Sequence, residues 1–251
     1  MQTPSSLAPG TTIAIVGAGR LGRVLARALR AARFDVLGPF GRTEQIPDAD
    51  IVVLCVPDAA IAETALAARP HAGVLGHVSG ATPLDDVDFS LHPLQTFTGT
   101  EPAEVFHGIG AAVAGRTSAA REVAEQLAIA LGARPFPVDD ANRASYHAAA
   151  SFASNFLLTV LDSAERLASS VPGDDARALL APLVRRTVEN WEASGAPAVL
   201  TGPIARGDEA TVARQRAAAA ELELSDLFDA LAAVTRTIAA RPAPATEEPS
   251  T

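Results

Sequence analysis

Three glycines, an arginine beyond the second strand-like run, and a set of imidazoles and hydroxyls are the residues whose types and spacing could do chemistry. Gly17, Gly19 and Gly22 fit G-x-G-x-x-G, with an apolar run at 12–16 before them and an Ala- and Arg-rich helical stretch after them. In that context the first glycine permits a tight turn. The second lets backbone approach a pyrophosphate, and the third lets the helix pack closely on the strand. The helix start offers unpaired N–H groups to an anion, so Gly17, Ala18, Gly19, Arg20, Leu21 and Gly22 form a candidate dinucleotide cradle. About twenty positions past the glycines an acid would grip a ribose 2′-hydroxyl. The second run ends without one, and Arg42 and Thr43 come after it. A guanidinium offers paired donors with permanent charge, which suits a 2′-phosphate, so NADP(H) is expected rather than NAD(H).

All 20 basic residues are arginine. Without lysine, the proton for a nascent alkoxide must come from histidine, tyrosine or water. His92 precedes Pro93, which biases it to extended backbone and stands its ring at a strand end, and an imidazole titrates near neutrality. In the helical run after residue 140, His147, Ser151 and Asn155 recur every four positions as one polar stripe beside Tyr146. Such groups must find partners, either in a substrate or on other helices. The third set is the turn at 200–208. Arg206 could hold a substrate carboxylate through two donors, or pair with Asp208, which itself fits the N-cap of the next helix. His71, His77 and His107 have no comparable setting, and no clustered His, Cys or carboxylate spacing supports a metal site.

These residues need elements to position them. Strands are expected at 12–16, 34–37, 51–56, 74–78, 89–93, 110–114 and 135–138, with helices at 20–32, 60–68 and 118–131 between them. Strands alternating with helices make an α/β fold, a doubly wound and mostly parallel sheet. Ligands bind such sheets outside the carboxyl ends of the strands. That puts Val56 and Pro57, Ser79 and Gly80, and His92 on one rim with the glycine turn, the first four facing the cofactor. From residue 140 the pattern is almost purely helical, over 142–169, 174–193 and 208–240. The expected organisation is a disordered arm at 1–10, an NADP-binding domain at 11–139, an all-α domain at 140–241 and a disordered tail at 242–251.

Composition narrows the function classes. Apolar residues are 48% and charged residues 20%, which reads as globular. A net charge of −9 argues against sequence-blind nucleic-acid binding, which needs basic patches. The lone Cys55 excludes an intramolecular disulfide and favours a reducing compartment. There is no charged n-region with an apolar h-region at the start, nor an apolar run long enough to span a bilayer. A cytoplasmic protein without membrane partners is expected.

The motifs Gly17–Gly22, Val56-Pro57-Asp58, Ser79-Gly80, Leu91-His92-Pro93-Leu94-Gln95-Thr96-Phe97, Tyr146-His147-Ala148-Ala149-Ala150 with Asn155, and 201–208 occur in that order. Together they resemble Rossmann-like proteins that carry a helical C-terminal domain of unknown function 2520. The group is similar to pyrroline-5-carboxylate reductases, prephenate dehydrogenases and 6-phosphogluconate-dehydrogenase-like enzymes. The resemblance implies an NADP-binding N-terminal domain, a helical domain that builds a homodimer, and an active site in the cleft between them. It also implies ketopantoate reduction in some members. The better-known ketopantoate reductases use a lysine, so in this chain the proton donor would differ. The expected activity is reduction by NADPH of a small carboxylate-bearing carbonyl or imine, a 2-keto acid such as ketopantoate among them. His92, His147 and Asn155 are the catalytic candidates; Tyr146, Ser151, Arg206 and Asp208 are on the substrate side. The rival reading is a non-catalytic NADP-binding sensor or scaffold.

Overall fold

A computed structural model describes Leu7 and residues 10–169 and 175–242 of the chain. The expected arm at 1–10 and tail at 242–251 lie almost wholly outside the described residues. The chain divides into two compact units after Asn155.

The first unit is built on a seven-stranded sheet in the order β2-β1-β3-β4-β5-β6-β7. Its elements are β1 (Thr12–Val16), α1 (Arg20–Ala31), β2 (Asp35–Phe40), β3 (Ala49–Leu54), α2 (Ile61–Ala68), β4 (Ala72–His77), β5 (Phe89–Pro93), β6 (Gly110–Gly115), α3 (Ser118–Ala130), β7 (Arg134–Pro137) and α4 (Asp140–Ser151). Successive side chains of a strand point to opposite faces of the sheet, so β1 serves two cores at once. Ile13 and Ile15 join the core with α1 and α3, whereas Ala14 and Val16 join the core with α2. Apolar cover on both faces is why the strand runs read as continuous hydrophobics rather than alternating ones.

Every neighbouring pair is parallel except β5 and β6. A parallel return needs a crossover, usually an α-helix. Between β5 and β6 the chain forms only the 3₁₀ turn Ala103–Phe106, and it comes back antiparallel, with His92 opposite Ala112. Strand β2 runs past the expected end at Leu37 as far as Phe40. Its register on β1 shifts between Ala14 and Val16, which absorbs Gly38 and the cis-linked Pro39. Proline is tolerated there because β2 is an edge strand.

The change of composition at 139/140 and the change of packing at Asn155 are different places. Helix α4 opens the helical half of the chain, yet buries Arg143 in the first unit, where its guanidinium holds Asp140 and Ser90 Oγ. The long helix expected over 142–169 is interrupted by a π turn at Phe152–Phe156.

The second unit contains α5 (Leu157–Ala168), α6 (Ala176–Ser194), the short α7 (Ala196–Val199) and α8 (Pro203–Arg206), α9 (Glu209–Ala220) and α10 (Ser225–Ala239). Forked ion pairs tie its helices: Arg177 with Glu165, and Arg216 with Asp229. No helix among the described residues is long and apolar enough to cross a membrane.

Candidate active site

The glycine turn lies where β1 passes into α1, and each glycine has a different reason to be there. Gly17 has φ +115°, and a Cβ on it would sit 2.2 Å from the Cys55 carbonyl oxygen. A Cβ on Gly22 would sit 1.9 Å from the Gly17 carbonyl oxygen and press on Cys55. The fold itself forbids side chains at both. Gly19 differs: φ is −74° and a Cβ would meet nothing within 4 Å. What a bare backbone at Gly19 leaves room for is a ligand. Gly19 is also the N-cap of α1 and supplies no side-chain hydrogen bond, so the first-turn N–H groups stay open. The first turn carries no acid, while Arg20 and Arg23 stand there. Cations at a helix start oppose the helix dipole and favour a bound anion. These features fit the pyrophosphate of a dinucleotide.

A cleft of about 790 Å³ opens beside this turn. Gly17, Ala18, Gly19, Arg42, Val56 and Pro57 line it, as do Phe40 and Glu44. Arg20, exposed, and Leu21, half-buried, stand at the helix start; Gly22 is buried beneath the turn and Thr43 is exposed beside Arg42. Glu44 is a site residue that the sequence motifs do not pick out. It lies two residues past Arg42, and its carboxylate accepts the Gly41 N–H and so closes the turn that carries the arginine. Its distance from the glycines is the available signal, but an expectation fixed on the strand end passes over it. Cys55, on the cleft wall, is driven by burial to a pKa of about 12 and remains a thiol.

Farther along the same rim the chain gathers imidazoles. His92, near the end of β5, has Nδ1 2.6 Å from the Tyr146 hydroxyl on α4. The two rings meet edge to face at 5.6 Å, and His147 faces His92 at 6.3 Å. Phe136 meets the Tyr146 ring edge to face as well, at 5.8 Å. A Cβ on Gly80 would fall within about 3 Å of both imidazoles, so glycine is what admits them together. Burial, and then the neighbouring His147, lowers the pKa of His92 to about 4. Burial raises that of Tyr146 to about 12. Ser79 offers less than its position suggests. Its hydroxyl accepts the N–H groups of Ala81 and Thr82 and donates to Thr82 Oγ1.

His92, His147, Tyr146 and Gly80 are thus brought together. Ser151 ends α4, and Asn155 lies inside the π turn. Arg206 and Asp208 are in the second unit. Asp208 caps α9 by accepting the Thr211 N–H, the capping role expected of it. Arg206, exposed at the end of α8, makes no ion pair with Asp208 and acts on it only through space.

The family model described as "Domain of unknown function (DUF2520)" matches residues 109–235, just over half of the chain. The chain belongs to the DUF2520 family. No curated protein sequence matches it. Among solved structures it is similar to a candidate NADP oxidoreductase from Bacteroides fragilis, 21% identical, over 91% of this chain and 99% of the other, with TM-score 0.79. A Thermotoga maritima protein is 22% identical over 90% of this chain and 98% of its own, with TM-score 0.69. A Plasmodium falciparum pyrroline carboxylate reductase, solved with NADP bound, is 10% identical over 92% and 99%, with TM-score 0.58. At these identities the likeness is one of fold. This DUF2520 member therefore has the Rossmann-like sheet with a helical region after it.

Proposed function

We propose that this protein is an NADPH-dependent oxidoreductase that reduces a small carboxylate-bearing carbonyl or imine, a 2-keto acid such as ketopantoate being the first to try. The observation that carries the reading is the glycine cradle, open at Gly19, on the same rim as the His92–Tyr146–His147 cluster. NADPH would lay its pyrophosphate on the α1 N-terminus and its 2′-phosphate on Arg42, and when bound it supplies a hydride. The chain's own task is to hold the acceptor and place a proton on it, and preorganised donors in a half-buried cluster stabilise a developing alkoxide. The fold shared with an NADP-bound reductase supports the cofactor class.

The test is a fluorescence titration with NADPH, then a panel of 2-keto acids and cyclic imines read as loss of the reduced-nicotinamide absorbance. Turnover of one compound establishes the reductase; tight binding with no turnover favours the sensor reading; no binding ends both. Arg42→Ala should weaken NADPH binding roughly 10- to 100-fold, the loss of a charged hydrogen-bonded pair worth about 1.5–3 kcal/mol. NADH binding should change far less; equal losses would remove the role given to Arg42.

The helical unit is assigned to self-association. Its buried apolar residues among those described are small, Ala176, Val212, Ala219 and Ala232. Leu158, Leu183, Trp191 and Val234 are all more than half exposed. A unit with so little core and so much exposed apolar surface is one that a second copy would cover.

A further inference from the structure

We propose that His92 and Tyr146 form one neutral proton relay serving a carbonyl oxygen, which narrows the substrate to a ketone or aldehyde; this deepens the reductase reading and rests on it. The geometry begins with a phenol that has one proton to give. Tyr146 Oη is 2.6 Å from His92 Nδ1 and keeps its proton at neutral pH; in the relay the phenol donates that proton to Nδ1. The imidazole must then carry its own hydrogen on Nε2. Nε2 makes no hydrogen bond among the described residues, and no buried side-chain nitrogen or oxygen among them lacks a partner, so that edge of the ring faces open space.

The ring's surroundings decide how it can act. Tyr146, His147 and Arg143 face it from α4, His77 from β4, and Asp58 from the turn after β3. Asp58 alone favours a charge on the ring; burial and the other groups outweigh it. An imidazolium is therefore scarce at pH 7, yet a proton can still be delivered without one. Once a carbonyl carbon has accepted a hydride, its oxygen holds a new electron pair and takes the Nε2 proton. Nδ1 takes the Tyr146 proton in the same motion, and the phenolate oxygen recovers one from solvent. The imidazole exchanges one neutral tautomer for the other and never bears charge. A protonated imine carries its proton already and gives an amine on accepting hydride, so the relay would have no task there. Tyr146 acts through His92 and touches no reacting atom.

Two measurements test this. The first is long-range ¹⁵N–¹H NMR of histidine-labelled free protein, with His92 assigned by loss of its signals in His92→Gln. Expected is a neutral Nε2–H ring at pH 7, with Nδ1–H appearing in Tyr146→Phe; an imidazolium, or an Nδ1–H ring, in the wild type overturns the relay. The second uses whichever substrate turns over. Tyr146→Phe should lower kcat by roughly 100-fold or more with NADPH affinity unchanged. It should also turn a flat pH profile above about pH 6 into one that falls as pH rises, because only the scarce imidazolium remains as acid. Wild-type rate and profile in Tyr146→Phe, or turnover of imines but no ketones, overturns the relay while leaving the reductase standing. Failure of the wild type to bind NADPH removes the reductase reading, and the NMR result still decides the His92–Tyr146 pairing.

Discussion

His77 and His92 are both native as neutral rings, and the acid sensitivity of the fold should reside there. His77 is completely buried, with Nδ1 accepting the Ser79 N–H and Nε2 3.2 Å from the Pro83 carbonyl oxygen. Burial depresses both pKa values. An unfolded chain takes up protons at these histidines near the ordinary 6.5, while the native His92 refuses one until about pH 4. Their contribution to stability is therefore full above about pH 6.5 and is lost as pH falls through that window. Thermal unfolding monitored from pH 7.5 to 4.5 should show a falling Tm, with a shallower slope in His92→Gln; an unchanged slope would mean the ring is not held neutral. Glu101, held near pH 2 by hydrogen bonds from Thr98 and Gly99, titrates below this window. The residue type of His92 and the proline after it marked the position. They could not reveal that burial removes the neutral-pH titration expected of a histidine, because burial depends on α4, more than fifty residues away. Ser79 shows the same limit: its place at the end of β4 was readable, but not that its hydroxyl is taken up by its own loop.

Among the elements, the β1–α1 turn allows a sharp separation of fold from binding. Gly22→Ala puts a methyl into the Gly17 carbonyl and should lower Tm steeply or prevent folding. Gly19→Ala meets nothing and should leave Tm within a few degrees, while weakening NADPH binding by tenfold or more through the space the methyl denies the ligand. Paired melting curves and titrations check this; a Gly19→Ala protein that binds normally would remove the cradle's purpose. The motif was readable because strand, glycine spacing and helix are all local. The break in the long helix was not, since nothing in the Ala-, Phe- and Leu-rich run marks a wider turn at Phe152–Phe156. The antiparallel β6 was likewise hidden, because its direction depends on how the connection from β5 returns and not on the strand's own residues.

For the whole molecule, the exposed apolar residues of α5, α6 and α10 lead to a prediction about assembly. Light scattering after size exclusion should give twice the chain mass. Leu183→Glu, which puts a charge at an exposed apolar position, should give the single-chain mass without loss of helical circular dichroism. A wild-type protein that stays single at high concentration would end the self-association reading.

The sequence by itself determined the alternation of strands and helices, the glycine turn, the rim on which Pro57, Gly80 and His92 stand, and the mostly helical character of the described residues after 140. Each of these rests on periodicity or on glycine and proline chemistry acting over a few neighbouring residues. Tertiary structure alone decided that α4 packs with the first unit, that Gly80 is bare because two imidazoles converge over it, and that the one tyrosine of the chain is bonded to His92. Those facts depend on approach between segments far apart in sequence, and on the burial such approach creates, which no local pattern records.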